Sequence, residues 1–124
     1  MLPEPSGLLE ICRPVRHILA RVGDKWSVLI VMALRDGPRR FNEIKRAIGT
    51  ISQRMLTLTL KGMERDGLVR RTVTPSNPPR ADYELTELGH SLRGPIEELG
   101  RWAIDNERRI TQAQLWFDGR DKAA

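Results

Sequence analysis

Between Asp36 and Gly67 the chain carries helix-stop signals so closely spaced that only two short helices fit. Asp36-Gly37-Pro38 ends the segment before them, Gly49 separates them, and Asp66-Gly67 closes the second. The first starts at Phe41 and places Ile44 and Ile48 on its buried side. After the tight Gly49-Thr50-Ile51 connection, Ser52 is positioned to cap the second, whose inward stripe is Leu56, Leu60 and Met63. Two apolar-sided helices joined by so short a link pack across each other as a helix-turn-helix. The outward face of the second helix, about residues 52–66, presents Gln53, Arg54, Thr57 and Lys61, with Ser52 at its start. These are donors and acceptors suited to base edges and phosphates.

The charge distribution points to the same stretch. The 124 residues carry a formal net charge of +5. Residues 39–80 hold 10 basic and 3 acidic side chains, a net +7, whereas residues 1–38 carry +1 and residues 81–124 carry −3. Lys and Arg concentrated in one segment suit a polyanion, because each neutralised phosphate releases condensed counterions. Arg39 and Arg40, just ahead of the first short helix, belong to that basic segment.

The flanking segments complete a compact unit. Pro3, Pro5, Ser6 and Gly7 read as part of a flexible arm over residues 1–11. Val15, Ile18, Leu19 and Val22 fall on one face of a helix that stops at Gly23. Asp24 caps another, in which Trp26, Leu29, Ile30, Ala33 and Leu34 repeat the spacing. Leu68–Thr74, rich in Val, Thr and Arg, reads as a strand. Pro75-Ser76-Asn77-Pro78-Pro79 turns the chain, and Ala81–Leu85 returns with Tyr83 and Leu85 inward and Asp82 and Glu84 outward. This hairpin, residues 68–85, is a wing. Arg70 and Arg71 on its strands and Arg80 beside its tip are placed to reach a phosphate backbone or a minor groove. The expected fold is therefore mainly α with a small β-hairpin wing, a winged helix-turn-helix forming one domain over residues 1–124.

Thr86 caps a C-terminal helical region in which Leu88, Leu92, Ile96, Leu99, Ala103 and Ile110 keep a helical period, with a kink or interruption expected at Gly94-Pro95. A winged helix-turn-helix does not need this much additional apolar helix, and its acidity suits it poorly to DNA. Residues 86–117 are accordingly expected to dimerise the chain, with Leu92, Ile96, Leu99, Trp102 and Ala103 at the interface, and with Trp116 and Phe117 as packing residues. No apolar run is long enough to span a bilayer and no signal peptide is evident, so a soluble cytoplasmic protein is expected. Cys12 is the only cysteine, which excludes an internal disulfide, and no Cys/His cluster has zinc-ligand spacing, so neither metal nor cofactor is expected.

Several ordered motifs resemble one family. Val22-Gly23-Asp24-Lys25-Trp26-Ser27-Val28-Leu29-Ile30 and Asp36-Gly37-Pro38-Arg39-Arg40-Phe41-Asn42-Glu43-Ile44 are similar to the HxlR family of bacterial regulators. So, further on, are Ile51-Ser52-Gln53-Arg54-Met55-Leu56, Glu64-Arg65-Asp66-Gly67-Leu68-Val69, Pro78-Pro79-Arg80 and Tyr83-Glu84-Leu85-Thr86-Glu87-Leu88-Gly89. The resemblance covers about Cys12 to Trp102. It implies a MarR-like winged fold, a dimer built from N- and C-terminal helices, a recognition helix in the major groove, and a bacterial or archaeal source. Some members of that family sense oxidants or electrophiles through a cysteine ahead of the first helix, and Cys12 lies in that position along the chain. Two features limit the transfer. The resemblance does not fix the register of Cys12-Arg13-Pro14 against the sensing cysteines, and Leu58 puts an apolar side chain on the DNA-facing side, where it meets a thymine methyl or packs.

Three other readings compete. An enzyme would need a nucleophile and a base, and Cys12 with His17 is the only pair to consider, but five residues apart on a helix they point in different directions. A single-stranded nucleic-acid binder usually wants an aromatic stacking platform, whereas the aromatics here sit on apolar stripes. A pure protein-interaction module leaves the basic segment without a role. The expected function is a non-enzymatic, homodimeric regulator of an inverted-repeat duplex operator, responsive to Cys12 chemistry or to a small ligand at the dimer interface.

Overall fold

The computed structural model describes residues 15–123. The expected arm over residues 1–11 and the candidate sensor Cys12 lie outside the described residues. A helix over residues 15–23 (α1) is followed by α2 (Lys25–Ala33), a two-residue strand β1 (Arg39–Arg40), α3 (Phe41–Ile48), α4 (Gln53–Arg65), β2 (Val69–Thr74), β3 (Arg80–Leu85), α5 (Glu87–Ser91) and α6 (Arg93–Ala123). The chain divides into two compact units at the Arg93/Gly94 boundary.

In the first unit each expected cap is in place. Asp24 Oδ2 accepts from the Ser27 amide and hydroxyl, both at 3.1 Å, and Ser52 Oγ accepts from the Met55 amide at 3.0 Å. The turn between α3 and α4 rests on Gly49, whose φ of 87° lies in the left-handed region that a side chain disfavours. Its amide donates to the Lys45 carbonyl at 2.9 Å, closing α3.

The core gathers Ile30 and Val31 of α2 with its C-cap Leu34, Ile44 of α3, Leu56, Leu60 and Met63 of α4, Val69 and Leu85 at the base of the wing, and Ile51 and Leu68 from the connections. The α4 stripe is the expected one. The α2 face is not, because the core takes Ser27, Ile30, Val31 and Leu34 while Leu29 stays 40% exposed. Almost every residue of α2 is apolar, so its periodicity does not select a face. Ile48, expected inside, is only half-buried. On α1, Ile18 and Leu19 are 56% and 58% exposed, so the apolar face read from the spacing is largely uncovered in the single chain.

The wing contains one more strand than a hairpin. Arg39 and Arg40 pair with Tyr83 and Asp82, which makes a three-stranded antiparallel sheet in the order β1-β3-β2 with β3 in the middle. This central position blurs the expected alternation of β3, since Asp82 and Glu84 are partly covered along with Tyr83. At the base of the wing Thr86 caps α5, accepting from the Gly89 amide at 3.1 Å and donating to the Gly67 carbonyl at 2.6 Å.

The expected interruption of the C-terminal helix falls at Leu92, between α5 and α6, rather than at Gly94-Pro95. Pro95 lies in the first turn of α6, where its missing amide removes no helical hydrogen bond. The second unit is the rest of α6, within a helix of 31 residues. Arg101 pairs with Glu98 at 3.4 Å, and the Arg120 guanidinium lies 5.1 Å from the ring centres of both Trp116 and Phe117.

Candidate nucleic-acid interface

The buried side of α4 determines what faces outward. Opposite Leu56, Leu60 and Met63, the 3.6-residue period places Arg54, Leu58, Lys61 and Arg65 along the most exposed line of the helix, with Thr57 and Gln53 on one flank and Met55 on the other. Among the described residues, none of the ion pairs formed involves Arg54, Lys61 or Arg65, so this face presents uncompensated positive charge. The Thr57 hydroxyl donates to the Gln53 carbonyl at 2.9 Å, and the Ser52 oxygen is engaged as the helix cap. Both side chains shape the start of the helix as well as lining its exposed face.

The wing cations are in a different electrostatic state. Arg70 lies across from Glu84, with Nη1 3.1 Å from Oε1, and Arg80 Nε lies 3.1 Å from Asp82 Oδ2. A phosphate approaching either arginine also meets its carboxylate partner, so each delivers less net charge than Arg54 or Lys61. Surface pairs of this kind are worth under about 1 kcal/mol and open readily.

Between the start of α3 and the wing tip lies a cleft of about 1050 Å³, lined by Arg40, Asn42, Arg46, Ser76, Asn77 and Arg80 among others. Arg40 reaches it because its amide is fixed by Glu43 Oε1 at 2.9 Å and its backbone by the pairing with Asp82. Arg39, beside it, is half-buried. Arg46 and Arg65 are missing from the sequence-based set of binding residues. Arg65 follows Arg54, Leu58 and Lys61 on one face and so was signalled by the helical period, whereas Arg46 joins the cleft only through the long-range placement of the wing.

The far end of α4 is anchored to α1. Asp66, the C-cap, accepts from His17 Nε2 at 2.8 Å and from Arg21 Nε at 2.9 Å. Partial burial pushes the Asp66 carboxyl up, but the hydrogen bonds and charges of His17 and Arg21 outweigh it and hold the group below its ordinary value of 3.8. The Arg21 guanidinium passes directly over Gly62, where a Cβ would collide with it. Next to this triad is an apolar cavity of about 280 Å³, walled by Ile18, Val22, Leu68, Leu88 and Leu92.

Of the residues expected at a subunit interface, Leu92 is half-buried, Ile96 is buried in the single chain, and Leu99, Trp102 and Ala103 are exposed. Ile104, Leu115, Trp116 and Phe117 add to the uncovered apolar surface of α6. Among the described residues, no group of histidine, cysteine or carboxylate side chains is arranged to hold a metal ion, and no helix is long and apolar enough to cross a membrane.

Residues 21–111 match the family model described as HxlR-like helix-turn-helix. An HTH-type transcriptional regulator of Escherichia coli, YtfH, is 39% identical over 101 residues, covering 82% of this chain and 79% of that one. Among solved structures, the redox regulator HypR in its reduced form superposes with a TM-score of 0.73 at 37% identity, covering 80% of this chain and 98% of that one. Diamide-treated YodB from Bacillus subtilis superposes with a TM-score of 0.66 at 38% identity, covering 76% and 93%.

Proposed function

The chain belongs to the HxlR-like helix-turn-helix family of DNA-binding transcriptional regulators, and from that premise we propose that it acts as a homodimer on an inverted-repeat duplex operator. In this reading α4 enters the major groove, with Arg54 and Gln53 at base edges and Lys61 and Thr57 toward the backbone. Ser52 fixes the start of that helix and comes within reach of a phosphate. Arg39, Arg40, Arg70 and Arg80 hold phosphates around the cleft or enter the adjacent minor groove.

The observation that carries this reading is the unpaired cationic line of α4 set opposite its buried stripe. A solvated face with no partner would tolerate interspersed carboxylates, and here the outermost line has none, the exposed Glu64 lying on the flank with Gln53 and Thr57. The dimer is supported by two exposed apolar surfaces, Ile18 and Leu19 on α1 and Leu99, Trp102, Leu115 and Trp116 on α6, which are more than a comfortable monomer leaves in water. Residues 86–117 then form the dimerising segment and the remainder the DNA-reading part of one functional domain.

The test is fluorescence anisotropy with duplexes selected from a random library, over a series of salt concentrations. Affinity should fall steeply with salt, and Lys61→Ala should reduce the slope by about one if that side chain neutralises one phosphate. Salt-independent or undetectable duplex binding overturns the proposal, as does a monodisperse monomer in light scattering at micromolar concentration.

The likeness to HypR and YodB favours an added layer, in which modification of Cys12 by an oxidant or electrophile weakens operator binding. Arg13 and Arg16 are neighbouring cations that favour the reactive thiolate. His17 and Arg21, on the helix that follows, are tied to the end of α4, which supplies a route from Cys12 to the DNA-reading face. Because the chain has one cysteine, the accessible products are a sulfenic acid, a mixed disulfide with a small thiol, an alkyl adduct or a disulfide between subunits. Wild type and Cys12→Ser are compared before and after diamide. Full operator affinity with Cys12 fully modified refutes the sensing role.

A further inference from the structure

We propose that Leu58 is a specificity residue that reads the 5-methyl group of thymine in each half-site. This inference rests on the placement of α4 in the major groove, and its test separates the two.

Leu58 is 54% exposed and lies on the outermost line of α4, one turn after Arg54 and three residues before Lys61. Its angular position is opposite the buried Leu56, Leu60 and Met63, so no packing role within the protomer accounts for a leucine there. The surrounding charges decide what can cover it. A second copy of the same face would bring Arg54, Lys61 and Arg65 against their own counterparts, and like charges placed face to face are unfavourable. A polyanion is attracted to all three, and in doing so brings its groove floor to the leucine between them. The only apolar group that the major-groove edge of DNA presents is the thymine methyl. An aliphatic side chain flanked by cations therefore has one complementary feature in that groove.

The expected size follows from the area removed from water. Burying one methyl-sized group is worth about 0.8 kcal/mol, which is about fourfold in affinity. Met55 is 39% exposed but lies on the flank, so it is not expected to share the contact.

The experiment starts from the consensus duplex selected by the full-length wild-type protein. Each thymine of a half-site is replaced singly by deoxyuridine, which removes only the methyl group, and binding of wild type, Leu58→Ala and Met55→Ala is measured. One thymine per half-site is expected to lose about fourfold on conversion to uracil with the wild type. The thymine-to-uracil ratio should collapse to about one with Leu58→Ala and persist with Met55→Ala. Retained salt-sensitive binding of the uracil duplex by Leu58→Ala shows that the variant is folded and still engages DNA. If the wild type selects and binds a duplex but is indifferent to uracil at every position, or if Leu58→Ala keeps the ratio, the role of Leu58 is refuted while the operator reading stands. If no duplex is selected, both fall.

Discussion

Replacing Asp66 with alanine should destabilise the protein more than loss of the Ser52 helix cap does. The Asp66 carboxylate receives two charge-assisted hydrogen bonds, from Arg21 at 2.9 Å and from His17 at 2.8 Å. They are unequal, because the Arg21 side chain is 21% exposed and that of His17 is 53% exposed. A hydrogen bond to a charged group contributes about 1.5–3 kcal/mol, and the shielded Arg21 bond should reach the lower part of that range. The wetter His17 bond contributes under about 1 kcal/mol. Loss of both amounts to about 2 kcal/mol, which for a unit of this size lowers Tm by roughly 8–16 °C.

The pH dependence follows from the depressed carboxyl. The stabilisation from Asp66 is present above the ordinary value of 3.8 and is lost as pH falls through the lower, folded-state value. The gap between wild type and Asp66→Ala should therefore narrow as pH falls below about pH 4. The assay is thermal unfolding followed by circular dichroism at fixed protein concentration, since association makes Tm concentration-dependent. Arg21→Ala should fall close to Asp66→Ala and His17→Ala between them and wild type. A Tm for Asp66→Ala within 2 °C of wild type, or a gap that widens in acid, would refute the reasoning; the 2 °C threshold is about 0.3–0.5 kcal/mol.

Other expected outcomes follow from the same geometry. Gly62→Ala should be close to neutral in thermal unfolding, because the gain in helix propensity of about 1 kcal/mol is offset by displacement of Arg21 from Asp66; a full gain would mean that the guanidinium does not rest there. Ser52→Ala removes the α4 cap and should cost about 1 kcal/mol in urea denaturation, with little change in m-value. In operator binding, Arg54→Ala should lose about 1–3 kcal/mol and relax base preference, while Arg80→Ala should weaken operator and random DNA alike and by less, because Asp82 already offsets its charge.

How far each part was legible in the sequence depended on contrast. The outward face of α4 is polar enough that Leu56, Leu60 and Met63 stand out as its inward stripe, and all three are buried. In α2 there is no such contrast, and only the tertiary contacts decide that Val31 is inside and Leu29 half outside. Arg39-Arg40 carries no strand signal of its own and becomes β1 because β3 offers it a partner. Asp66 reads locally as a helix stop beside Gly67. Its bonds to His17 and Arg21 span 49 and 45 residues, and no periodicity reaches across that separation. The pairing of Arg70 with Glu84 and of Arg80 with Asp82 was hidden for a related reason, since charge counting does not show which cations are already neutralised. The apolar face of α6 was legible as a stripe in excess of what one winged unit needs, whereas periodicity alone did not show that Ile18 and Leu19 of α1 are exposed in the single chain.

The anchor at Asp66 also makes α4 a lever with its pivot at one end. From Asp66 to Arg54 the helix runs about 18 Å, so a tilt of about 5° around the pivot carries Arg54 through about 1.5 Å, and Lys61, less than half as far out, through about 0.7 Å. A hydrogen bond does not survive the larger displacement, whereas a contact to phosphate tolerates the smaller one. If Arg54 reads a base and Lys61 holds a phosphate, as proposed, loosening the pivot sorts the contacts by distance, disturbing base discrimination at the Arg54 end before it weakens attachment at the Lys61 end. Under that proposal, variation in α1, far from any base, changes which sequences are preferred while attachment to random DNA changes little.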